Sequence, residues 1–203
     1  MDSHKAAKWI AAICVFSMGL HAPAFADPIH IYGGEFDLPI TDKNWMPDAV
    51  IEVPEHLPIH DIDVVVTITH TSAFDLQIYL QSPGEFQLCL NMYNLDEFFV
   101  GGDYANTIFD DEASISIEDV QPPFTGHLRP RAPALLQDFN SQDAFGVWRL
   151  RVYDAYYYDT GTLDRFELII TAPEPSTIIL LAFGSAFIIG LRPRLKVKAE
   201  PSK

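Results

Sequence analysis

One stretch decides the fold: Gly146-Val147-Trp148-Arg149-Leu150-Arg151-Val152-Tyr153-Asp154. Every second residue from Trp148 to Val152 is apolar, and arginines stand between them. This two-residue period predicts a β-strand with one buried face and one solvent face. The turn signal Asp159-Thr160-Gly161-Thr162 and the apolar segment Leu163–Thr171 follow. We therefore predict that the body of the chain closes with a β-hairpin.

The same period recurs upstream. Asp61–His70 places Ile62, Val64, Val66 and Ile68 on one face, and Asp75–Leu80 alternates again. A turn over 82–85 leads to a return strand with Phe86, Leu88 and Leu90 inward and Cys89 on the opposite face. Short strands separated by Gly, Pro and Asp predict an all-β sandwich. The stretch 91–121 is expected to be loop-rich and acidic.

Three stretches together resemble the P domain (Homo B) that follows the catalytic domain of subtilisin-like proprotein convertases. They are Val64–Thr71 running into Asp75–Gly84, then Phe109–Ala113, then Gly146–Asp154 with Asp159–Leu163 and Phe166–Leu168. Val147 replaces the usual Thr of this family, and Phe166 replaces the usual Trp. The resemblance covers 36–171, implies a jelly-roll β-sandwich, and leaves 27–35 as an expected linker.

The resemblance does not imply that this chain is a protease. In convertases the P domain supports a separate catalytic domain, which carries the Asp, His and Ser. The body here is filled by one sandwich and has no Gly-x-Ser-x-Gly motif. His70 lies near Asp75 in the sequence, but no serine beside them has an activating context. We therefore expect no enzymatic activity.

The N-terminus has the pattern of a signal peptide over 1–26. Lys5 and Lys8 precede the apolar run Trp9–Leu20, and Ala24 and Ala26 form an A-x-A site for signal peptidase. Cleavage after Ala26 removes Cys14, which leaves Cys89 as the single cysteine of the exported body. No internal disulfide is then expected.

The C-terminal segment 172–203 resembles a PEP-CTERM sorting signal. The triplet Pro173, Glu174 and Pro175 precedes an apolar run over 178–191 and a basic tip over 192–203. The fourteen-residue run would span roughly 21 Å as a helix, against about 30 Å of bilayer core. The resemblance implies transient anchoring in the inner membrane with the body in the periplasm. Cleavage by an exosortase-like enzyme would then deliver the body to the cell surface or outside the cell.

The net charge of the residues between the two signals indicates which classes of ligand they can bind. Residues 27–172 contain 25 Asp and Glu against 6 Lys and Arg, an excess of 19 negative charges. Such acidity disfavours nucleic acid and favours cations. Asp110 and Asp111 are possible calcium ligands, in a loop-rich stretch that also contains Asp96, Glu97, Asp103 and Glu112. Asp154 and Asp159 are a second possible pair of ligands. The alternatives are a solvated acidic face and aspartates that bond their own turns. No cofactor is certain.

Tyrosines gather at the closing hairpin. Tyr153, Tyr156, Tyr157 and Tyr158 could present aromatic rings beside carboxylates to a sugar. The alternative is that they pack over one end of the sandwich. The histidines show no metal-binding spacing.

These features predict an exported, non-catalytic β-sandwich that binds an envelope component, a polysaccharide or an exported protein. The alternative is an accessory domain for a subtilisin-like protease encoded elsewhere. A third hypothesis, a carbohydrate-active enzyme, needs two carboxylates about 5–10 Å apart across a groove.

Overall fold

A computed structural model describes residues 27–92 and 101–173. They form two sheets with the strand orders β1-β9-β3-β6-β7 and β2-β8-β4-β5. The paired strands run antiparallel except β6 and β7, which are parallel. The nine strands are β1 (Ile29–Ile40), β2 (Ala49–Val53), β3 (Asp61–His70), β4 (Leu76–Gln81), β5 (Gln87–Asn91), β6 (Tyr104–Phe109), β7 (Phe124–Leu128), β8 (Gly146–Asp154) and β9 (Gly161–Thr171). Short 3-10 helices cover Ala73–Asp75, Ile117–Asp119 and Leu136–Phe139.

The prediction of a closing β-hairpin was wrong, because its two strands do not pair with each other and lie in different sheets. β8 lies between β2 and β4, whereas β9 lies between β1 and β3. The alternation predicted along β8 is confirmed, since Trp148, Leu150 and Val152 have no exposed surface. Consecutive strands β8 and β9 therefore supply an inner strand to each layer of the sandwich.

The apolar faces of the two sheets meet in one core. Ile62, Val64, Val66 and Ile68 of β3 are buried there, as are Leu76, Ile78 and Leu80 of β4. These faces are the ones that the sequence period predicted. The core also contains the ring of Trp148, whose Nε1 donates a hydrogen bond to the carbonyl of Ala144 at 2.8 Å. The ring of Phe139 packs edge-on against it at 5.2 Å between centroids.

Two local expectations were wrong. The linker predicted over 27–35 is mostly strand, because β1 begins at Ile29 and pairs with β9 from that residue onward. Phe86, predicted to point inward, lies before β5 and is 43% exposed. Its ring still meets Phe139 at 5.4 Å between centroids. Leu88 and Leu90 are buried as predicted.

No helix among the described residues is long and apolar enough to cross a bilayer. The predicted signal peptide over 1–26 and the predicted membrane segment over 178–191 both lie outside the described residues, as do Glu174 and Pro175. Pro173 is described and exposed, two residues after β9 ends.

Replacing Trp148 with Ala should lower the free energy of unfolding by about 3–5 kcal/mol, as truncations of large buried aromatics do. The variant also leaves the carbonyl of Ala144 without its indole donor. Denaturant unfolding of the domain measures the loss. Trp45→Ala is the matched control, because Trp45 is 40% exposed and should cost far less. Equal losses in the two variants would contradict the strand phase.

Candidate functional site

The corner where the chain leaves β8 for the other sheet gathers buried polar groups. Asp154, the last residue of β8, is fully buried, and its Oδ1 accepts a hydrogen bond from the N–H of Tyr156 at 3.0 Å. Its Oδ2 lies 3.4 Å from Nε2 of His70. Neither side chain has exposed surface. Asp154 therefore bonds the backbone of its own turn and faces a buried histidine.

Two further carboxylates border this corner. Asp159 accepts a hydrogen bond from Oγ1 of Thr71 at 2.8 Å. Burial raises the pKa of Asp75 to about 6; a hydrogen bond with Ser72 lowers it, and the neighbouring Asp159 and Asp154 raise it further. The sequence predicted Asp154 and Asp159 as a pair, and the structure adds Asp75 and His70 to them.

A glycine is required beside this corner. A Cβ built on Gly161 would lie 2.3 Å from the carbonyl oxygen of Thr69 and 2.4 Å from Cδ2 of His70. No larger residue fits without moving β3. Gly161 therefore allows β9 to pack against the end of β3 where His70 is buried.

The four predicted ligand tyrosines do not form one surface. Tyr156 and Tyr157 lie on the loop after β8, where Nζ of Lys43 is 5.5 Å and 5.0 Å from their ring centroids. Tyr158 is almost fully exposed, and its N–H donates to Asp42 at 2.8 Å. Tyr153 instead lies on the solvent face of the four-stranded sheet.

Tyr153 belongs to a surface that we call the arginine–aromatic face, formed by Trp45, Tyr79, Arg149, Arg151 and Tyr153. The ring of Trp45 lies 5.1 Å from that of Tyr153 and 5.9 Å from that of Tyr79. The guanidinium carbon of Arg151 is 4.6 Å from the centroid of the Trp45 ring. Arg151 and Tyr79 are direct cross-strand partners. The β8 period predicted that both arginines point outward, but it carried no signal for the aromatic partners from other strands.

A second acidic cluster lies on the outer side of the five-stranded sheet. It comprises Asp61, Asp63, Asp110 and Glu112 around an open depression. Burial and the negative charges of Asp110 and Asp61 raise the pKa of Asp63 to about 7. One oxygen of Asp63, Oδ1, is buried and has no hydrogen-bond partner among the described residues. The folded state therefore holds this carboxylate at an energetic cost when it is ionised.

Asp110 and Asp111 are adjacent in sequence but bond to different groups. Asp110 accepts a hydrogen bond from the N–H of Glu112 at 2.7 Å and lies 2.7 Å from Nδ1 of His127. Asp111 accepts bonds from the N–H groups of Leu136 and Gln137, at 3.1 Å and 2.8 Å. Asp111 thus fixes the start of a 3-10 helix, and the two carboxylates are not aimed at one point.

Among residues 27–92 and 101–173, no group of three or more His, Cys, Asp or Glu has the arrangement of a metal site. Asp96 and Glu97 fall in the gap between these ranges. Calcium at Asp110, Asp111, Asp154 or Asp159 remains a prediction.

Two family models match the chain. The family model of the proprotein convertase P-domain matches residues 59–170, and that of the PEP-CTERM protein-sorting motif matches residues 171–194. No curated protein sequence matches the chain significantly.

Two solved structures are similar to this chain. They are the complex of Aeromonas sobria serine protease with the chaperone, at 18% identity and a TM-score of 0.46, and the serine protease of Aeromonas sobria, at 18% identity and a TM-score of 0.44. The matches cover 74% and 71% of this chain but only 28% and 27% of those chains.

The raised pKa of Asp63 predicts that its replacement stabilises the domain at alkaline pH. An unfolded aspartate titrates near 3.9, so the folded state binds the proton more tightly than the unfolded state. The stability linked to this proton is fully present below about pH 4 and is lost as pH rises through 7. Asp63→Asn should therefore raise Tm more at pH 8 than at pH 5, with a difference of roughly 2–4 °C.

Thermal melts at the two pH values measure this effect. Glu52→Gln is the control, because it removes one exposed carboxylate from β2 in the other sheet. An equal gain at both pH values, or an equal gain in the control, would contradict the assignment.

Divalent cations should stabilise the domain mainly by screening its excess of 19 negative charges. We expect Tm to rise equally in calcium, magnesium and sodium chloride at matched ionic strength. A site that binds calcium in the folded state only would add about 2.7 kcal/mol at a hundredfold excess over Kd. A calcium-specific rise would contradict screening. Its loss in Asp110→Ala or Asp111→Ala would place a site near β6, and its loss in Asp154→Ala would place it at the end of β8.

Proposed function

The chain belongs to the proprotein convertase P-domain family, and we propose that this member is an exported, non-catalytic module that an exosortase-type system sorts to the cell surface or extracellular matrix. The observation that carries the proposal is the order of the two family matches. The P-domain match ends at residue 170, and the sorting motif begins at residue 171. A folded domain followed at once by a sorting signal is the arrangement of an exported cargo.

Sequence features at both ends of the chain, outside the described residues, support export followed by sorting at the membrane. The positive residues, apolar run and A-x-A site within 1–26 suit signal peptidase, and the cations after residue 191 suit the cytoplasmic side of a membrane segment over 178–191. The route therefore includes a transient stage in the inner membrane with the domain in the periplasm. Cleavage near the triplet 173–175 then releases it.

The strand orders support the jelly-roll arrangement within the sandwich. Without β7, the two sheets are β1-β9-β3-β6 and β2-β8-β4-β5. Apart from β4 and β5, which pair within one sheet, successive strands of these eight alternate between the two sheets in the manner of a double Greek key. β7 extends one edge as a parallel strand.

His70 is the buried histidine among residues 27–92 and 101–173, and its surroundings support a non-catalytic role. The ring of His70 has no exposed surface. Its Nδ1 lies 2.8 Å from the carbonyl oxygen and 3.1 Å from the backbone nitrogen of Ser72, and its Nε2 faces Asp154. A general base must reach the proton that it removes from a substrate. A histidine enclosed in this way suits a structural role.

We infer a binding role for this exported domain. The partner classes are an envelope component, a polysaccharide or an exported protein. The half-exposed arginine–aromatic face suits such a role better than the buried corner, because a partner can reach it.

Processing provides the test of this proposal. The mature chain should begin at Asp27 and end near Pro175, which intact-mass analysis of exported material can measure. Alanine replacement of residues 173–175 should hold the chain in the membrane fraction. Retention of 178–191 in the final surface form, or normal release of the alanine variant, would contradict exosortase-type sorting.

The binding role is tested on the same material. The mature domain should be retained by an isolated envelope or matrix fraction, and failure to bind any fraction would overturn the role. Specific co-purification with a subtilisin-like protease would instead establish an accessory function.

A further inference from the structure

We propose that the arginine–aromatic face binds the uronic-acid units of a sparsely charged polysaccharide. This inference rests on the proposed binding role and names its ligand class and its surface. One carboxylate would be held by Arg149 and Arg151, and its sugar ring would pack on the neighbouring aromatic rings.

The charge of the face is the first argument. Residues 27–172 hold only six Lys and Arg, and two of them stand on the same side of one strand, β8. Both guanidiniums approach a single carboxylate, that of Asp48, with Nε at 3.3 Å for Arg151 and 3.9 Å for Arg149. Two cations therefore share one ion-pair partner; Glu52 of β2 also lies on this side of the sheet, opposite Val147, but forms no ion pair with either arginine. The face suits one further carboxylate.

The chemistry of arginine favours a carboxylate as that anion. A guanidinium carries five N–H donors in a planar fork that matches the two oxygens of a carboxylate. The contacts with Asp48 use Nε of each arginine. Because both side chains are only partly buried, an incoming ligand can reach their terminal donors.

The aromatic platform argues for a sugar ring. Trp45 is 40% exposed, and its ring contacts those of Tyr79 and Tyr153 at interplanar angles of 51° and 50°, so three tilted rings gather beside the arginines. Aromatic side chains combine a flat apolar body with a polar edge, which suits the mixed surface of a pyranose. Outward residues of one strand are about 7 Å apart and neighbouring strands about 5 Å apart, so the arginines and the rings are within reach of adjacent sugar units.

The negative charge of the rest of the domain argues against a partner with many closely spaced negative charges. The outer side of the other sheet carries Asp61, Asp63 and Glu167, and the net excess of 19 negative charges repels dense polyanions. The face offers only the two arginines as cations, which favours a polymer with a carboxylate on every second sugar over a polymer charged on every unit. The same argument disfavours nucleic acids.

Hyaluronan oligosaccharides are a suitable probe, because a uronic acid alternates with a neutral amino sugar. Calorimetry of the mature domain in EDTA and 0.15 M NaCl excludes bridging by divalent ions and weakens unspecific attraction. Chito-oligosaccharides of equal length, which lack the carboxylate, should bind at least tenfold more weakly. Heparin oligosaccharides should not bind more tightly than hyaluronan; tighter binding would indicate general polyanion attraction and would overturn the proposal.

The variants locate the site. Arg149→Gln with Arg151→Gln should weaken hyaluronan binding at least tenfold. The matched control, Arg129→Gln with Arg165→Gln, removes the same charge elsewhere and should change affinity less than threefold. Arg149→Lys with Arg151→Lys keeps the charge but not the planar guanidinium fork and should give an intermediate loss of affinity. Thermal melts of every variant confirm that the fold is retained.

The outcomes separate this inference from the proposed function. Retention by the envelope fraction without hyaluronan binding, or equal losses in the two glutamine variants, would overturn the polysaccharide face and leave the binding role intact. Failure of the mature domain to bind any envelope fraction would overturn the binding role itself.

Discussion

The structure depends on the passage of one chain segment from the four-stranded sheet to the five-stranded sheet between Asp154 and Gly161. β8 before this passage holds β2 and β4, and β9 after it holds β1 and β3. Strands β8 and β9 therefore connect the two layers. The passage is possible because Asp154 bonds the turn that follows it and because Gly161 lets β9 approach His70. The buried corner around His70 and Asp154 therefore has a structural role, since it holds the connection between the two sheets. This role explains why both side chains are shielded from solvent.

Several acidic side chains of the domain form hydrogen bonds within its own loops. Asp42, Asp111 and Asp154 each accept hydrogen bonds from backbone N–H groups that no strand partner satisfies. All five histidines among the described residues lie within 3.7 Å of a carboxylate; they are His30, His56, His60, His70 and His127. Carboxylates thus organise the turns of a body whose described part has a single, free cysteine. Two buried carboxylate oxygens, Oδ1 of Asp63 and Oδ2 of Asp154, have no hydrogen-bond partner among the described residues.

The regular strands were predictable from the sequence, and the irregular ones were not. β3, β4, β5, β8 and β9 follow the two-residue period closely enough to be found, together with their buried faces. β1 and β6 contain bulges, and Asp37 and Asn106 there have positive φ, which breaks the period. β7 contains Gly126 at φ 70°. The pairing of His70 with Asp154 and the cluster around Asp63 join residues 84 and 47 positions apart, and no local pattern encodes such contacts.

The strand that decides the fold also supplies the surface that most suits a ligand. Burial of the inward face of β8 needs only polar residues on its outward face. Any polar residue would be suitable there. In a body with 25 acidic and 6 basic residues, two arginines on one strand are therefore not explained by solubility. A single carboxylate, Asp48, lies between them, so they are not explained by charge pairing either. Trp45 reaches this surface from a segment outside the named strands and bridges to Tyr153. Trp45 is 40% exposed, and the guanidinium carbon of Arg151 lies 4.6 Å from its ring centroid; this contact is the geometry on which the proposed binding surface rests.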